Sequence, residues 1–220
     1  MPVIAIASPK GGAGKSTVAV ILGTELARAG AEVVLIDCDP NGSIVLWASR
    51  APLPPRISVL SDVGESALVR TIKTHDADGA VVIVDLEGVA SRLVSRAISQ
   101  ADLVITPMRA TTLDATIGVR ALALIEEEEE ALDRQIRHAA VFTMTRAIRS
   151  KQHSAIEASL IGQGVDVIQP PLMERAAFSA LFEFGGDLST MPAQGRMEPA
   201  MENAAGFAEA VYRRLKETAR

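Results

Sequence analysis

The chain alternates short β-branched and aliphatic runs with longer amphipathic stretches, and that alternation sets the fold class. Runs at Val3–Ala7, Glu32–Asp37, Ile57–Leu60, Ala80–Asp85, Leu103–Pro107, Ala139–Thr143 and Val165–Ile168 predict strands. Val33-Val34-Leu35-Ile36 and Val81-Val82-Ile83-Val84 are apolar at every position, so both faces of those strands are covered, as in a parallel sheet between helical layers. Helical spacing covers Ser16–Ala29, Ser91–Gln100, Leu113–Glu130, Lys151–Gln163 and Ala200–Ala219, and Gly30 is a natural stop for the first of these. Strand and helix in alternation predict one α/β domain over residues 1–220, with a doubly wound, mostly parallel sheet and helices on both faces. Pro52, Pro54 and Pro55 mark a loop, and the chain carries no internal repeat or long linker. Ligands of such folds bind beyond the carboxyl ends of the strands, so the residues there are the ones to read for chemistry.

Composition narrows the picture. With 220 residues, 48% hydrophobic and 22% charged, the chain has the material for a full core and is not a disordered, collagen-like or coiled-coil sequence. No apolar run approaches the roughly 18 residues of a membrane span, and the first residues run into a strand without a basic leader. The single cysteine, Cys38, makes no internal disulfide and reads as a small buried residue, so a reducing, cytoplasmic setting is expected. A net charge of −5 and 3% aromatics argue against a wholesale nucleic-acid binder with a stacking platform, while leaving room for a local basic patch. Glu126–Glu130 read as a solvated helix end, which the helix dipole would fray.

The chemistry concentrates at strand ends. After the first strand comes Ser8-Pro9-Lys10-Gly11-Gly12-Ala13-Gly14-Lys15-Ser16-Thr17, followed at once by a helix. Glycines there let backbone N–H groups wrap around an anion at a helix N-terminus; Lys15 would reach the β- and γ-phosphates and Ser16 would hold Mg²⁺. The second strand ends in Asp37-Cys38-Asp39-Pro40-Asn41-Gly42, where Asp39 also suits an Asx-turn before Pro40. The strand Val81–Asp85 ends in an acid suited to Mg²⁺.

Pro9 stands where an ordinary phosphate loop has glycine, and Lys10 with Gly11 and Gly12 takes over the pattern. This resembles the deviant Walker A box, K-G-G-x-G-K-[ST], of the ParA/MinD family of P-loop ATPases. The resemblance implies ATP held by Lys10, Gly11, Gly12, Ala13, Gly14, Lys15, Ser16 and Thr17, with Lys10 as the signature lysine that crosses to a partner subunit's ATP. It implies Asp39 as the residue that positions the attacking water, Asp37 near the metal, and Asp85 as the Walker B acid, so that Ser16, Asp37 and Asp85 serve Mg²⁺. Asn41 replaces the family's usual glutamine and inherits nothing. Leu86-Glu87-Gly88 follows Asp85 where many members have prolines, and Glu87 reads equally as a catalytic or a solvated acid.

The similarity continues through Thr106-Pro107 with Leu113-Asp114. Phe142-Thr143-Met144-Thr145-Arg146 and Pro170-Pro171-Leu172-Met173-Glu174-Arg175 sit where the family closes over adenine. Met144, Arg146, Pro171, Leu172 and Met173 are thus implied adenine-side residues, although Met144 and Met173 fit a core equally well. Trp47 and Arg175-Ala176-Ala177-Phe178 are similar to small ParA proteins and to the conjugation-associated ParA relatives, and with the phosphate-loop strand beginning at Val3 no N-terminal helix-turn-helix is expected.

The reading implied is a weak, partner-stimulated ATPase that dimerises with ATP, binds DNA without sequence preference and positions a DNA or protein cargo through a ParB-like or other adaptor. It would be cytoplasmic, and nucleoid-associated when ATP-bound. Arg146, Arg149, Lys151, Arg175, Arg213 and Arg214, with Arg196 and Lys216, are the candidate DNA contacts. A MinD-like membrane regulator is the alternative; it needs a basic amphipathic C-terminal helix, and Tyr212 and Leu215 there are expected to be spent on the core. A metabolic ATPase or kinase is a third reading, for which no substrate insertion or cysteine ligand set is visible.

Overall fold

A computed structural model describes residues 2–88, 91–111 and 123–217. In chain order the elements are β1 (Val3–Ile6), α1 (Lys15–Arg28), β2 (Val33–Cys38), α2 (Ser43–Arg50), β3 (Ile57–Leu60), α3 (Glu65–Ala77), β4 (Val81–Leu86), α4 (Arg92–Ile98) and β5 (Leu103–Met108). A helix covers the described residues 123–132 (α5), and β6 (His138–Phe142), α6 (Lys151–Gly162), α7 (Ala176–Phe184) and α8 (Glu198–Lys216) complete the chain. Six strands form one sheet in the order β3-β2-β4-β1-β5-β6, and every pairing is parallel.

The continuous apolar runs are explained by the pleat. Successive side chains point to opposite faces, so Ile4, Ile6, Val33, Leu35, Val81 and Ile83 join one core while Val3, Ala5, Val34, Ile36, Val82 and Val84 join the other. The first core is closed by α1, α2, α7 and α8, the second by α3, α4 and α5. A smaller cluster seats α6 on the edge strand through Ile156, Leu160 and Phe142. β1 lies between β4 and β5, so the direction of winding reverses at its carboxyl end and leaves a crevice there.

Several sequence expectations shift. Val165–Ile168 is not a seventh strand of the sheet but an isolated bridge, Ala140 to Val167. The chain then turns at Pro170-Pro171, which have no N–H to extend a ladder. α2, α3 and α7 were not legible as helices. α3 buries only Leu68 and Ile72, and α7 is apolar nearly throughout, so neither gives a clean helical stripe. The predicted helix Leu113–Glu130 falls partly on residues 112–122, outside the described residues, as do Leu113 and Asp114. Its end does not stop at the glutamates: the helix runs to residue 132, and Glu129 Oε1 accepts the Ile136 N–H at 2.6 Å, fastening the exit. Tyr212 is not core; it is 46% exposed, with Lys216 Nζ 4.7 Å above its ring. Leu215 is partly buried against the core.

α8 spends its apolar face on the domain, burying Ala200, Ala204, Phe207, Ala208 and Val211. No helix among the described residues is long and apolar enough to cross a membrane.

One close approach ties α2 to α7. Trp47, fully buried, donates its ring N–H to Gly186 O at 2.9 Å. Beside it Gly185 has φ 74°, and a Cβ there would lie 2.8 Å from Ala51 N. Gly185→Ala combines a left-handed backbone with a clash against main chain and is expected to cost about 2 kcal/mol or more. Thermal melting checks this, and an unchanged melting temperature would show that the α2–α7 junction is not tight.

Candidate functional site

The loop from Ser8 to Gly14 leaves the central strand and closes into α1, whose first residues are Lys15 and Ser16. Gly14 is the N-cap of α1 with φ 89°, a left-handed conformation that glycine adopts without strain, so the loop can bend straight into the helix. The loop carbonyls are held from outside. Thr143 Oγ1 donates to Ala13 O at 2.7 Å, and Arg109 Nη2 donates to Gly12 O at 3.0 Å. With carbonyls engaged on that side, the N–H groups are left to form the anion nest with the positive end of α1.

Lys15 is buried, its side chain 6% exposed, with Nζ 3.6 Å from Asp39 Oδ2. Asp39 Oδ1 accepts the Asn41 N–H at 3.0 Å and Asn41 Nδ2 at 2.7 Å. The Asx-turn and the contact to the loop lysine therefore coexist on one carboxylate. Asn41, to which the sequence assigned nothing, braces Asp39.

Asp37 and Asp85 face each other in register on β2 and β4. Their surroundings differ. Asp37 Oδ2 accepts the Ile44 and Val45 N–H groups at 2.9 and 3.1 Å, and Oδ1 accepts the Asp39 N–H at 3.2 Å. Asp37 thus caps α2 from seven residues upstream, which its position near a metal in the sequence did not suggest. Asp85 accepts Ser16 Oγ–H at 2.6 Å on Oδ2, while Oδ1 is buried without a hydrogen-bond partner. Burial, reinforced by the neighbouring Asp37, pushes the Asp85 carboxyl up from 3.8 to about 7 against the opposing Ser16 hydrogen bond. An orphaned buried carboxylate oxygen beside a hydroxyl is the donor set that a hard divalent cation fits. Cys38, next to Asp37 on β2, has its thiol raised to about 12 by burial and by Asp37, so it is an inert thiol.

A cleft of about 110 Å³ continues from the loop, lined by Gly14, Thr17, Thr143, Met144, Leu172, Met173 and Phe178 among others. Met144 is 40% exposed at φ 51° and is not core; Met173 is half-buried at the same cleft. Pro171 is buried behind the cleft, its carbonyl accepting Asn203 Nδ2 at 2.8 Å, while Asn203 Oδ1 accepts the Met173 N–H at 2.9 Å. Arg146 is exposed and is not among the lining residues. Arg109, Thr143 and Asn203 were missed by sequence reasoning: each acts by a side chain on distant backbone, and only Thr143, inside a quoted segment, carried any signal.

The basic residues fall into two groups. Arg146, Arg149 and Lys151 lie on the exposed segment after β6, Arg149 paired with Glu157 at 2.7 Å and with Gln169 Oε1 at 2.9 Å. Arg175 opens α7 near the cleft. Arg213 and Arg214 sit at the end of α8, where Arg213 pairs with Glu209 and Arg214 holds Asp166 through two nitrogens at 2.5 and 2.7 Å. Lys10 is half-buried beside the loop, Arg196 is exposed on the segment before α8, and Glu87 is half-buried after β4.

Asp85 gives a prediction with a defined sign. Its raised value means that ionisation is penalised in the folded protein: stability is unaffected below the ordinary value of 3.8 and falls as pH rises toward about 7. Asp85→Asn keeps the acceptor for Ser16 and removes the charge. Without nucleotide it should be more stable than wild type by on the order of 1–3 kcal/mol at alkaline pH and no different in acid. Equal stability at alkaline pH would mean the carboxylate carries no penalty.

Residues 4–188 match the CobQ/CobB/MinD/ParA nucleotide binding domain. The chain is 62% identical to a protein ParA of Rhizobium radiobacter over 222 residues, covering 100% of both chains. In fold it is similar to McdA of Cyanothece, solved as a variant with ATP, at a TM-score of 0.76 and 18% identity over 96% of each chain. It is likewise similar to cobyrinic acid a,c-diamide synthase of Mycobacterium smegmatis, solved with an ATP analogue and magnesium, at a TM-score of 0.73 and 19% identity, covering 100% of this chain and 97% of that one. The phosphate-loop geometry, the all-parallel sheet and the matched span together establish that the chain belongs to the CobQ/CobB/MinD/ParA nucleotide-binding family, and within it is of ParA type.

Proposed function

We propose that the protein is a ParA-like ATPase that forms an ATP sandwich dimer, binds DNA without sequence preference and positions a cargo through an adaptor that stimulates hydrolysis. The observation that carries this reading is the loop itself, where a buried lysine, a carboxylate in contact with it and an orphaned acid surround one anion nest. Full-length similarity to a ParA protein supports the partition role.

The loop N–H groups and Lys15 bind the phosphates, and Lys15 counters charge on the γ-phosphate as it leaves. Asp39, braced by Asn41 and by the Asp37-capped turn, is the group that orients the attacking water. Asp37 stands behind the metal position as an anchor. Ser16 Oγ and Asp85 would hold Mg²⁺, which would supply positive charge against that of the phosphates. Met144, Leu172 and Met173 would flank adenine, and Asn203 fixes the Pro171–Met173 segment from behind. Lys10 would complete the site of a second subunit, so intrinsic turnover is slow until two chains meet.

The DNA surface is assigned to Arg146, Arg149, Lys151 and Arg175, at the cleft end of the sheet. Arg214, held by Asp166 through two nitrogens, serves the fold, while Arg213, whose exposed pairing with Glu209 leaves its head in solvent, stays a further candidate. Doubling that surface across a dimer overcomes the net charge of −5, because only local phosphate contacts matter.

Light scattering after gel filtration with ATP and Mg²⁺ tests the dimer: Asp39→Ala should accumulate as dimer and Lys10→Ala should bind nucleotide yet stay monomeric. Wild type and Asp39→Ala both monomeric would contradict the shared site. For DNA, binding should require ATP, and Arg146→Ala with Lys151→Ala should weaken it on all sequences alike, making the logarithmic salt slope shallower by about 2 per copy of the surface. Equal affinity with ADP and ATP would count against the partition reading.

A further inference from the structure

The segment joining β6 to α6 carries a feature that charge alone does not explain. Ile148 is 88% exposed, the most exposed of the large hydrophobic residues among those described, and it stands between exposed Arg146 and Arg149, with Lys151 two residues beyond Arg149. No acid occurs in the sequence between Arg146 and Glu157. The acids facing the segment are Glu157, engaged by Arg149, and Glu174, whose N–H donates to Thr145 O at 2.8 Å.

The segment is also anchored at both ends. At its start, Thr143 grips the phosphate loop and Thr145 bridges Met173. At its end, Ser150 Oγ accepts the His153 N–H at 3.1 Å as the cap of α6, and the His153 ring packs 4.6 Å from Phe142. Arg149 is held laterally by Glu157 and Gln169. An apolar tip with cations on both sides, presented on a braced loop, matches the wedge that minor-groove proteins drive between base steps while their arginines and lysines engage the flanking phosphates.

We propose that Ile148 is such a wedge: on double-stranded DNA it enters the minor groove and partly unstacks one base step, with Arg146 and Lys151 on the adjoining backbones. This rests on the DNA-binding reading above and adds to it a mode of contact. It makes flexible pyrimidine–purine steps the easiest to enter, giving a mild preference by deformability and not by base readout. A lipid surface is the less favoured occupant, since a single aliphatic tip buries too little for an anchor.

The test uses the full chain with ATP and Mg²⁺ on a duplex carrying 2-aminopurine at a TA step. Wild type should brighten the probe as it binds. Ile148→Ala should lose that brightening and bind about tenfold more weakly, the loss expected for one aliphatic side chain withdrawn from burial, with the salt slope unchanged because no charge is removed. Ile148→Leu should restore both. Arg146→Ala with Lys151→Ala should lower the slope. If Ile148→Ala binds and brightens like wild type while the basic pair weakens binding, the wedge is overturned and the DNA surface stands. If wild type itself does not bind the duplex with ATP and Mg²⁺, the DNA reading falls and the wedge with it. Loss by Ile148→Ala of binding to anionic vesicles, with DNA binding intact, would likewise overturn the wedge in favour of lipid.

Discussion

A phosphate loop works only if its backbone N–H groups face inward and its carbonyls face out, and the rest of this molecule is arranged to keep that polarity. Two donors from distant strands do it here: Thr143 at the end of β6 on Ala13 O and Arg109 after β5 on Gly12 O. Both come from the half of the sheet beyond the switch point, so the loop is correctly formed only when the whole sheet is assembled. The strand order that brings β5 beside β1 and β6 beside β5 is therefore a requirement of the site as much as of the core.

The two strand-end acids divide the remaining work by their hydrogen bonds. Asp37 accepts three backbone N–H groups and supports α2 and the Asp39 turn. Asp85 is deliberately short of partners, with one oxygen on Ser16 and one on nothing, and its carboxyl is pushed up to about 7 as a result. A site that holds a buried acid in an unfavourable state is one that gains when a cation arrives, which ties ligand binding to stability by mass action. The α2 support continues through Trp47 to Gly186 and α7, and α7 contributes Phe178 to the cleft, so the acid side and the cleft side are mechanically joined.

Much of this was legible from the chain, for physical reasons that also mark where legibility ended. The loop, Lys15, Asp39 and Asp85 lie in contiguous motifs at strand ends, and the doubly buried runs could only belong to a covered parallel sheet. The capping of α2 by Asp37 was not legible, because nothing in Asp37-Cys38-Asp39 shows that the chain returns α2's N-terminus to it. Asn203, Arg109 and Thr143 act on backbone 30 to 130 residues away in sequence, a relation that a linear pattern does not carry. The basic residues were legible as a group at the β6–α6 junction and others nearer the C-terminus, but not that Asp166 holds Arg214 through two nitrogens.

The account stands on the loop being a site for ATP with Mg²⁺, and calorimetric titration of ATP into wild type and Lys15→Ala, each with and without Mg²⁺, tests it most directly. Wild type should bind saturably with a stoichiometry of one per chain and more tightly with the metal. Lys15→Ala should bind roughly 10- to 100-fold more weakly, as removal of a buried charge-assisted contact dictates. Undiminished binding by Lys15→Ala would contradict the account.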